Sequence, residues 1–153
     1  QKLDKESFDV ITMWHFLEHC YDPNKSLQKA DEVLKKNGKL VIEVPRLDSL
    51  TFKMFGKNWP GVQAPQHTTM FDKKSLLKII DQNGFKVEKY MAYGAFPPYF
   101  YIFTGAYFKL FGKGLNLSKI IFPYFFFQLL LFPILLFKNQ LNLSMQTVVC
   151  TRK

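Results

Sequence analysis

Residues 8–19 read FDVITMWHFLEH and join an apolar segment directly to a polar cluster. Residues 8–13 are almost continuously apolar, which is typical of a strand that is covered on both faces in a parallel sheet. The side chains that follow are Trp14, His15, Glu18 and His19. Because ligands of open α/β sheets bind at the carboxyl ends of the strands, we expect a ligand site at this cluster.

A helix and a second strand follow the cluster. Asp22 suits an N-cap and Pro23 the first helical position, and apolar residues then recur at helical spacing. Asn37 and Gly38 predict a left-handed stop, which gives a helix of about fourteen residues. Residues 39–45, KLVIEVP, form the next strand. Two strands joined through a helix predict a right-handed parallel unit.

The middle of the chain predicts a long functional connection and a third unit. Residues 46–71 carry His67 near their end, and a connection of this length is usually either functional or disordered. Its aromatic content argues against disorder, so we expect a cap over the carboxyl edge of the sheet. A helix at 73–83 and strands at 85–92 and 145–152 follow.

Composition narrows the class of partner. The chain has 153 residues, is 48% hydrophobic and has a net charge of +9. Almost all of this charge is lysine, whereas bidentate readout of bases and phosphates prefers arginine, so we expect no nucleic acid partner. Cys20 and Cys150 are lone thiols, as in a reducing cytosol, and we expect a cytoplasmic protein. The sequence leaves the oligomeric state open.

Taken together, the motifs resemble those of class I S-adenosylmethionine-dependent methyltransferases. The resemblance rests on FDVITMWHFLEH, Asp-Pro at 22–23, KKNGKLVIEVP, QHTTMF and NGF, and it covers about 8–92 and 145–152. It implies an α/β, Rossmann-like sheet of strand order 3-2-1-4-5-7-6. The implied fourth, fifth, sixth and seventh strands are residues 8–13, 40–44, 85–92 and 145–152, with the seventh antiparallel between the fifth and the sixth.

The resemblance also implies how the chain is organised. The family's glycine-rich loop and the acidic residue that hold most of the cofactor belong to earlier strands, so we expect them upstream of Gln1. Residues 1–94 and 141–153 are then the C-terminal half of a methyltransferase domain, inactive as a fragment, and 95–140 are an apolar helical insert. The alternative, from another functional class, is a non-catalytic membrane-associated or interaction module derived from this fold.

The resemblance further implies methyl transfer from S-adenosylmethionine to a hydroxyl of a small or lipid-linked acceptor. Such an enzyme mainly aligns its reactants, and a general base adds about 10²- to 10⁴-fold. His19 or His67 is the predicted base, with Glu18 beside it, and Trp14 and His15 are predicted walls of the cofactor or acceptor pocket. For His19 the alternative is a hydrogen bond to the loop that follows, without a catalytic role.

A divalent metal is a second interpretation of the cluster. His15, Glu18, His19 and His67 resemble a metal-binding set in small-RNA 2'-O-methyltransferases and ubiquinone-pathway O-methyltransferases. Those patterns have Glu at the first position, and His in its place favours Zn²⁺, Fe²⁺ or Mn²⁺ over Mg²⁺. The spacing also matches the inverted zinc-peptidase motif, which needs both histidines on one helical face. Here a strand leads into the motif, which disfavours a peptidase.

Residues 95–111 and 120–137 are two apolar stretches. The second would be about 27 Å long as a helix, against a hydrocarbon core of about 30 Å. If 145–152 returns to the sheet, the insert re-emerges on the side it entered, which excludes a single span. Three alternatives remain: a hairpin in the membrane interface or over lipid-like substrates, a soluble acceptor lid or dimer surface, and a hairpin inserted in the bilayer. The first predicts peripheral membrane association.

Overall fold

A four-stranded mixed sheet forms the centre of the computed structural model, which describes residues 3–112 and 117–153. Its strands are β1 (Phe8–Trp14), β2 (Leu34–Pro45), β3 (Phe85–Met91) and β4 (Met145–Arg152), in the order β1-β2-β4-β3. β1 and β2 are parallel, whereas β4 runs antiparallel to both of its neighbours. This order and these directions agree with those predicted for the fourth to seventh strands.

The main core lies between β2 and two helices, α1 (Pro23–Val33) and α3 (Lys73–Gln82). Leu40, Ile42 and Val44 alternate along β2, so they share one face of the sheet, and all three are fully buried. Each such side chain contributes about 1.5–3 kcal/mol of burial. α1 and α3 complete the same cluster with their apolar faces, which fixes the parallel pair β1-β2 and hence the edge where both strands end.

α1 begins at its predicted capping residue, Asp22, but it does not end where the sequence predicts. The Asp22 side chain accepts a hydrogen bond from the Lys25 N–H at the start of α1, as predicted. α1 ends at Val33 after 11 residues, so the prediction of a stop at Asn37 and Gly38 is wrong. The reason is that Leu34 is fully buried and pairs with the first residue of β1, which draws the chain into β2 four residues before the glycine.

The predicted burial of β1 on both faces is also wrong within the described residues. Phe8, Val10 and Trp14 are 39%, 54% and 50% exposed, and Met13 alone of this strand is buried. β1 pairs with β2 along one edge only. An apolar cleft of about 320 Å³ lies between this strand and α1. The described elements therefore leave several apolar side chains of β1 uncovered.

The connection 46–71 is ordered and folds back onto the sheet. It contains the short helix α2 (Leu50–Phe55) followed by a 3₁₀ turn. Its two ends meet in an isolated parallel β-bridge between Arg46 and Phe71. Trp59 anchors it, because its ring is 1% exposed and its indole N–H donates to Thr51 Oγ1 at 2.8 Å. The Arg46–Phe71 pairing brings the end of this segment to the carboxyl end of β2.

Helical segments fill the chain between β3 and β4. They are α4 (Pro98–Phe111), α5 (Leu117–Leu131), a 3₁₀ segment (Phe132–Phe137) and α6 (Lys138–Leu141). α4 packs on the body of the protein, with Tyr101 5.5 Å from the Trp59 ring, and α5 packs on α4. None of the helices in the described ranges is long and apolar enough to cross a membrane.

Candidate active site

His15 occupies the first position after β1 and has an uncommon backbone conformation. Its φ angle is 49°, in the left-handed region that non-glycine residues seldom adopt. Its N–H donates to the Glu43 carbonyl at 3.0 Å, which carries the β1-β2 pairing one residue past the strand. Conformations of this kind persist where the surroundings fix them, and they cluster at functional sites.

Two buried carboxylates hold the His15 ring. Its Nδ1 lies 3.4 Å from Glu18 Oε1 and its Nε2 lies 3.3 Å from Glu43 Oε1, and both glutamates are 1% exposed. These ion pairs are longer than a charge-assisted hydrogen bond of about 2.8 Å. Contact with Glu18, followed by contact with Glu43, raises the pKa of His15 to about 9. The ring is therefore an imidazolium at neutral pH.

Glu43 joins the sheet to the start of the helical insert. Its Oε2 accepts hydrogen bonds from the Ala95 N–H at 2.9 Å and from the Thr147 hydroxyl at 3.1 Å. Burial opposes its ionisation, but these bonds and His15 outweigh burial and keep the pKa of Glu43 below its usual value. Gly94 makes the approach feasible, because a Cβ there would lie 2.7 Å from the Glu43 carboxyl carbon.

Sequence reasoning did not select Glu43 as a site residue. One signal was present: it is the single acidic residue in the otherwise apolar end of KLVIEVP. Buried acidic side chains are rare unless they are paired, so a glutamate in a buried strand predicts a partner. The partner itself could not be identified, because His15 is far away in the sequence and its ring direction depends on the left-handed backbone.

His19 and His67 are both oriented by backbone carbonyls. His19 Nδ1 lies 3.0 Å from the Gln66 oxygen and His67 Nδ1 lies 2.7 Å from the Gly61 oxygen. A carbonyl only accepts, so each Nδ1 carries the proton and each neutral ring keeps Nε2 as the free acceptor. Burial lowers the pKa of His67 below its usual value, which keeps this ring neutral at pH 7. His19 thus bonds to the 46–71 connection, and not to the loop directly after its own turn that its non-catalytic interpretation named.

The structure brings together three of the four predicted metal ligands. Glu18, His19 and His67 each place one potential ligand atom within 4.8 Å of the others, and the two histidine rings are 4.6 Å apart. The Glu18 carbonyl accepts the N–H groups of Thr68 and Thr69 at 2.9 and 3.1 Å, which ties the loop to this turn. His15 is outside the group, because its nitrogens face the two carboxylates.

A cavity of about 220 Å³ opens at this edge of the sheet. His15, His19 and His67 line it together with three aromatic side chains: Phe96, which precedes α4, and Phe100 and Tyr101 in the first turn of α4. Trp14 does not line this cavity and lies half-exposed beside the open edge of β1. Glu18 is buried next to these histidines and does not line the cavity. The arrangement can accept a proton at either Nε2, hold a cation beside Glu18, or place an acceptor group against the aromatic wall.

Comparisons with known proteins identify the family of this fold. A family model described as a methyltransferase domain matches residues 2–90, more than half of the chain. The chain belongs to the class I S-adenosylmethionine-dependent methyltransferases. The resemblance predicted from the sequence is thereby confirmed at the level of the family, whose cofactor is S-adenosylmethionine.

Particular relatives share the fold of this methyltransferase domain at low identity. An uncharacterized protein of Methanocaldococcus jannaschii is 27% identical over 81 residues, 53% of this chain and 40% of that protein. The structure of a methyltransferase from Archaeoglobus fulgidus aligns with TM-score 0.55 and 17% identity over 98% of this chain and 62% of that chain. One from Mesorhizobium loti aligns with TM-score 0.57 and 14% identity over 99% and 65%. The chain thus spans less than two thirds of each, and the structural likeness shows the fold alone.

Proposed function

We propose that this methyltransferase domain transfers a methyl group from S-adenosylmethionine to a hydroxyl of a small or lipid-linked acceptor, with His67 as the general base. The observation that carries the proposal is a neutral histidine with its Nε2 free, at the carboxyl edge of β1 and β2 and on the wall of the cavity. A base in this position accepts the proton of the attacking hydroxyl.

His19 and Glu18 act beside His67 in this proposal. The three side chains are in one group, so a proton received by His67 is stabilised by the Glu18 carboxylate. His19 lies against the His67 ring and limits its rotation. Phe100 and Tyr101 of α4 form an apolar wall of the cavity, and electrostatic contacts are stronger in a less polar environment.

The residues at the end of β1 suit one part of an S-adenosylmethionine site. Trp14 presents an exposed aromatic surface at the end of β1, and the His15, Glu18 and Glu43 cluster contains two carboxylates for one imidazolium. An excess of negative charge favours a cation. When bound, the cofactor supplies an electrophilic methyl group on a sulfonium. The cavity of about 220 Å³ is smaller than the sites of roughly 300–1,000 Å³ that hold drug-sized ligands, so it suits the reacting end of an acceptor.

The chain acts, in this proposal, as the C-terminal portion of a larger enzyme. Two observations support it: the described part of β1 leaves one edge and its apolar side chains uncovered, and the related structures are longer than this chain. An upstream half with further strands would pair with β1 and fill the apolar cleft beside α1.

A lipid-linked acceptor is favoured by an aromatic stripe on α4. Phe100 lines the histidine cavity, and Phe103, Tyr107 and Phe111 line a second, apolar cleft of about 330 Å³ between α4 and α5. Spacings of three, four and four residues place these four side chains along one side of the helix. At 1.5 Å per residue the stripe is about 16 Å long. A hydrocarbon chain in the cleft would leave its polar end at the cavity.

A bound divalent metal is the second candidate, favoured by one observation. Glu18 is buried, and neither of its carboxylate oxygens accepts a hydrogen bond within the described part of the chain. Two histidines and one carboxylate suit Zn²⁺, Fe²⁺ or Mn²⁺. Metal analysis of the purified protein separates the two candidates: a stoichiometric metal that His67→Gln removes supports the metal, and a metal-free protein that retains activity supports the base.

Cofactor binding tests the proposal without knowledge of the acceptor. S-adenosylhomocysteine is titrated calorimetrically into the full-length natural protein that carries this chain. We expect one site per chain and, because aromatic contacts contribute about 0.5–1.5 kcal/mol, roughly three- to tenfold weaker binding in Trp14→Ala. Tyr21→Ala, which removes another exposed aromatic ring, is the control and should bind as the wild type does. Absence of binding would favour the non-catalytic module instead.

A further inference from the structure

The outer face of the helical insert consists of exposed apolar side chains. On α5, Phe122, Phe126 and Leu129 are 83%, 74% and 75% exposed. The opposite side of α5 packs on α4, where Phe127 lies 5.4 Å from Phe103 and Gln128 donates to the Tyr99 hydroxyl. On α5 the exposed side chains therefore form the side of the helix that faces away from α4. Large contiguous apolar patches mark interaction sites. The exposed large apolar side chains of the described part of the insert after residue 100 are Leu110, Phe111, Ile121, Phe122, Phe125, Phe126, Leu129, Leu130, Phe132, Leu136 and Phe137.

Charge is distributed unevenly along the chain. All twelve acidic residues precede residue 89. The insert, 95–140, contains four lysines and no acidic residue, and the lysines stand at the ends of its apolar stretches, at 109, 113, 119 and 138. Lys109 lies in the last turn of α4 and is exposed. A segment that exposes apolar side chains and whose charged residues are all basic suits a partner that offers hydrocarbon beneath a negatively charged layer.

We propose that the exposed face of the α4–α5 hairpin, together with the exposed Lys109, docks on an anionic lipid surface. Helices that lie in a membrane interface bury aromatic and leucine side chains to a depth of about 5–10 Å and keep basic residues at the headgroups. α5 has 15 residues, about 22 Å, which is shorter than a hydrocarbon core of about 30 Å. A position in the plane of the interface suits a helix that is too short to span the bilayer and is apolar on its exposed side.

This docking adds a partner to the proposed function and does not depend on catalysis. It also agrees with a lipid-linked acceptor, because the cleft between α4 and α5 would then open next to the lipid. Two other occupants of the face, a second copy of the chain and another protein, are outcomes of the same experiment. The charge distribution favours the lipid, since a second copy would bring its own lysines against these.

Vesicle flotation tests the docking directly. The full chain is floated with vesicles of phosphatidylcholine alone and of phosphatidylcholine with phosphatidylglycerol, and we expect binding to the second. The triple variant Phe122→Ser, Phe126→Ser, Leu129→Ser should bind at least roughly a hundredfold more weakly, given the usual benefit of burying such side chains. Lys109→Glu should weaken binding about 25-fold, because each unit charge near an anionic surface contributes about a fivefold effect and the substitution changes two.

Matched controls exclude general effects. Tyr21→Ser removes an exposed aromatic residue outside the hairpin, and Lys78→Glu reverses an exposed charge on α3. Both should float as the wild type does, and circular dichroism should be unchanged in all variants because every altered side chain is exposed.

Equal flotation of the wild type and the triple variant would overturn the proposal. A wild type that does not bind vesicles but forms a dimer would also overturn it. If the triple substitution dissociates that dimer, the face belongs to a second copy of the chain. Binding of S-adenosylhomocysteine is measured separately, so failure of the docking and failure of the proposed methyl transfer are distinguishable.

Discussion

His15 makes stability depend on pH at the residue scale. Two carboxylates raise its pKa from the usual 6.5 to about 9, so between these values the folded state binds a proton that the unfolded state has lost. The stabilisation is complete below pH 6.5 and disappears as the pH rises through about 9. In denaturant unfolding we expect the free energy of unfolding to fall over this range, and to fall less in His15→Gln. Parallel curves for the two proteins would contradict this ion pair.

Glu43 should matter for stability far more than an exposed glutamate of the same sheet. Glu43→Gln removes the charge that faces His15 and alters the acceptor of the Ala95 and Thr147 bonds. The expected loss is about 1–3 kcal/mol in the free energy of unfolding. Glu88→Gln breaks an exposed pair with Lys39 and should cost less than about 1 kcal/mol. A similar loss for both substitutions would show that Glu43 is not held as described.

At the scale of the elements, Gly94 controls how the insert leaves the sheet. A Cβ at this position meets the buried Glu43 carboxylate, so Gly94→Ala should displace the chain leading to α4 and cost about 1–3 kcal/mol of stability. The shorter side chain of Glu43→Asp should relieve the contact, so Gly94→Ala should cost less in that background. A cost that is equal in both backgrounds, measured as a double-mutant cycle, would contradict this packing.

The elements also show which features are readable from the sequence. The strands were predictable because residues 8–13 and 39–45 are nearly apolar runs, whereas 85–92 and 145–152 alternate at least partly between apolar and polar residues. The start of α1 was predictable because Asp22-Pro23 has a local mechanism. The end of α1 was not, since burial of Leu34 against the sheet overrides the local signal of Asn37-Gly38. Tertiary packing commonly overrides propensity in this way.

Within the site, residue types were predictable and their pairing was not. The carboxyl edge, His19, His67 and Glu18 follow from the motif and from the parallel unit. The ring contacts of His15 depend on a backbone angle and on a glutamate of another strand, and neither has a local signature. That His15 faces Glu18 and Glu43, while His19 and His67 approach each other beside Glu18, therefore needed the structure.

For the whole molecule, the distribution of chemistry divides the protein into two regions. The acidic residues, the histidines and the parallel strands belong to residues 4–92, whereas the insert is largely apolar and its charged residues are all lysines. α4 connects the two regions, because its start lines the histidine cavity and its later turns line the apolar cleft. In the proposed function, the reaction takes place at one end of α4 and the lipid binds at the other.

Methyl transfer itself tests this account most directly. The full-length natural protein is incubated with tritiated S-adenosylmethionine and a total lipid extract, and transfer into lipid is compared between the wild type and His67→Gln. Loss of a general base predicts a kcat that is about 10²- to 10⁴-fold lower, with unchanged binding of S-adenosylhomocysteine. Transfer by His67→Gln at the wild-type rate, or no transfer by a wild type that binds the cofactor, would contradict the proposed role of this site.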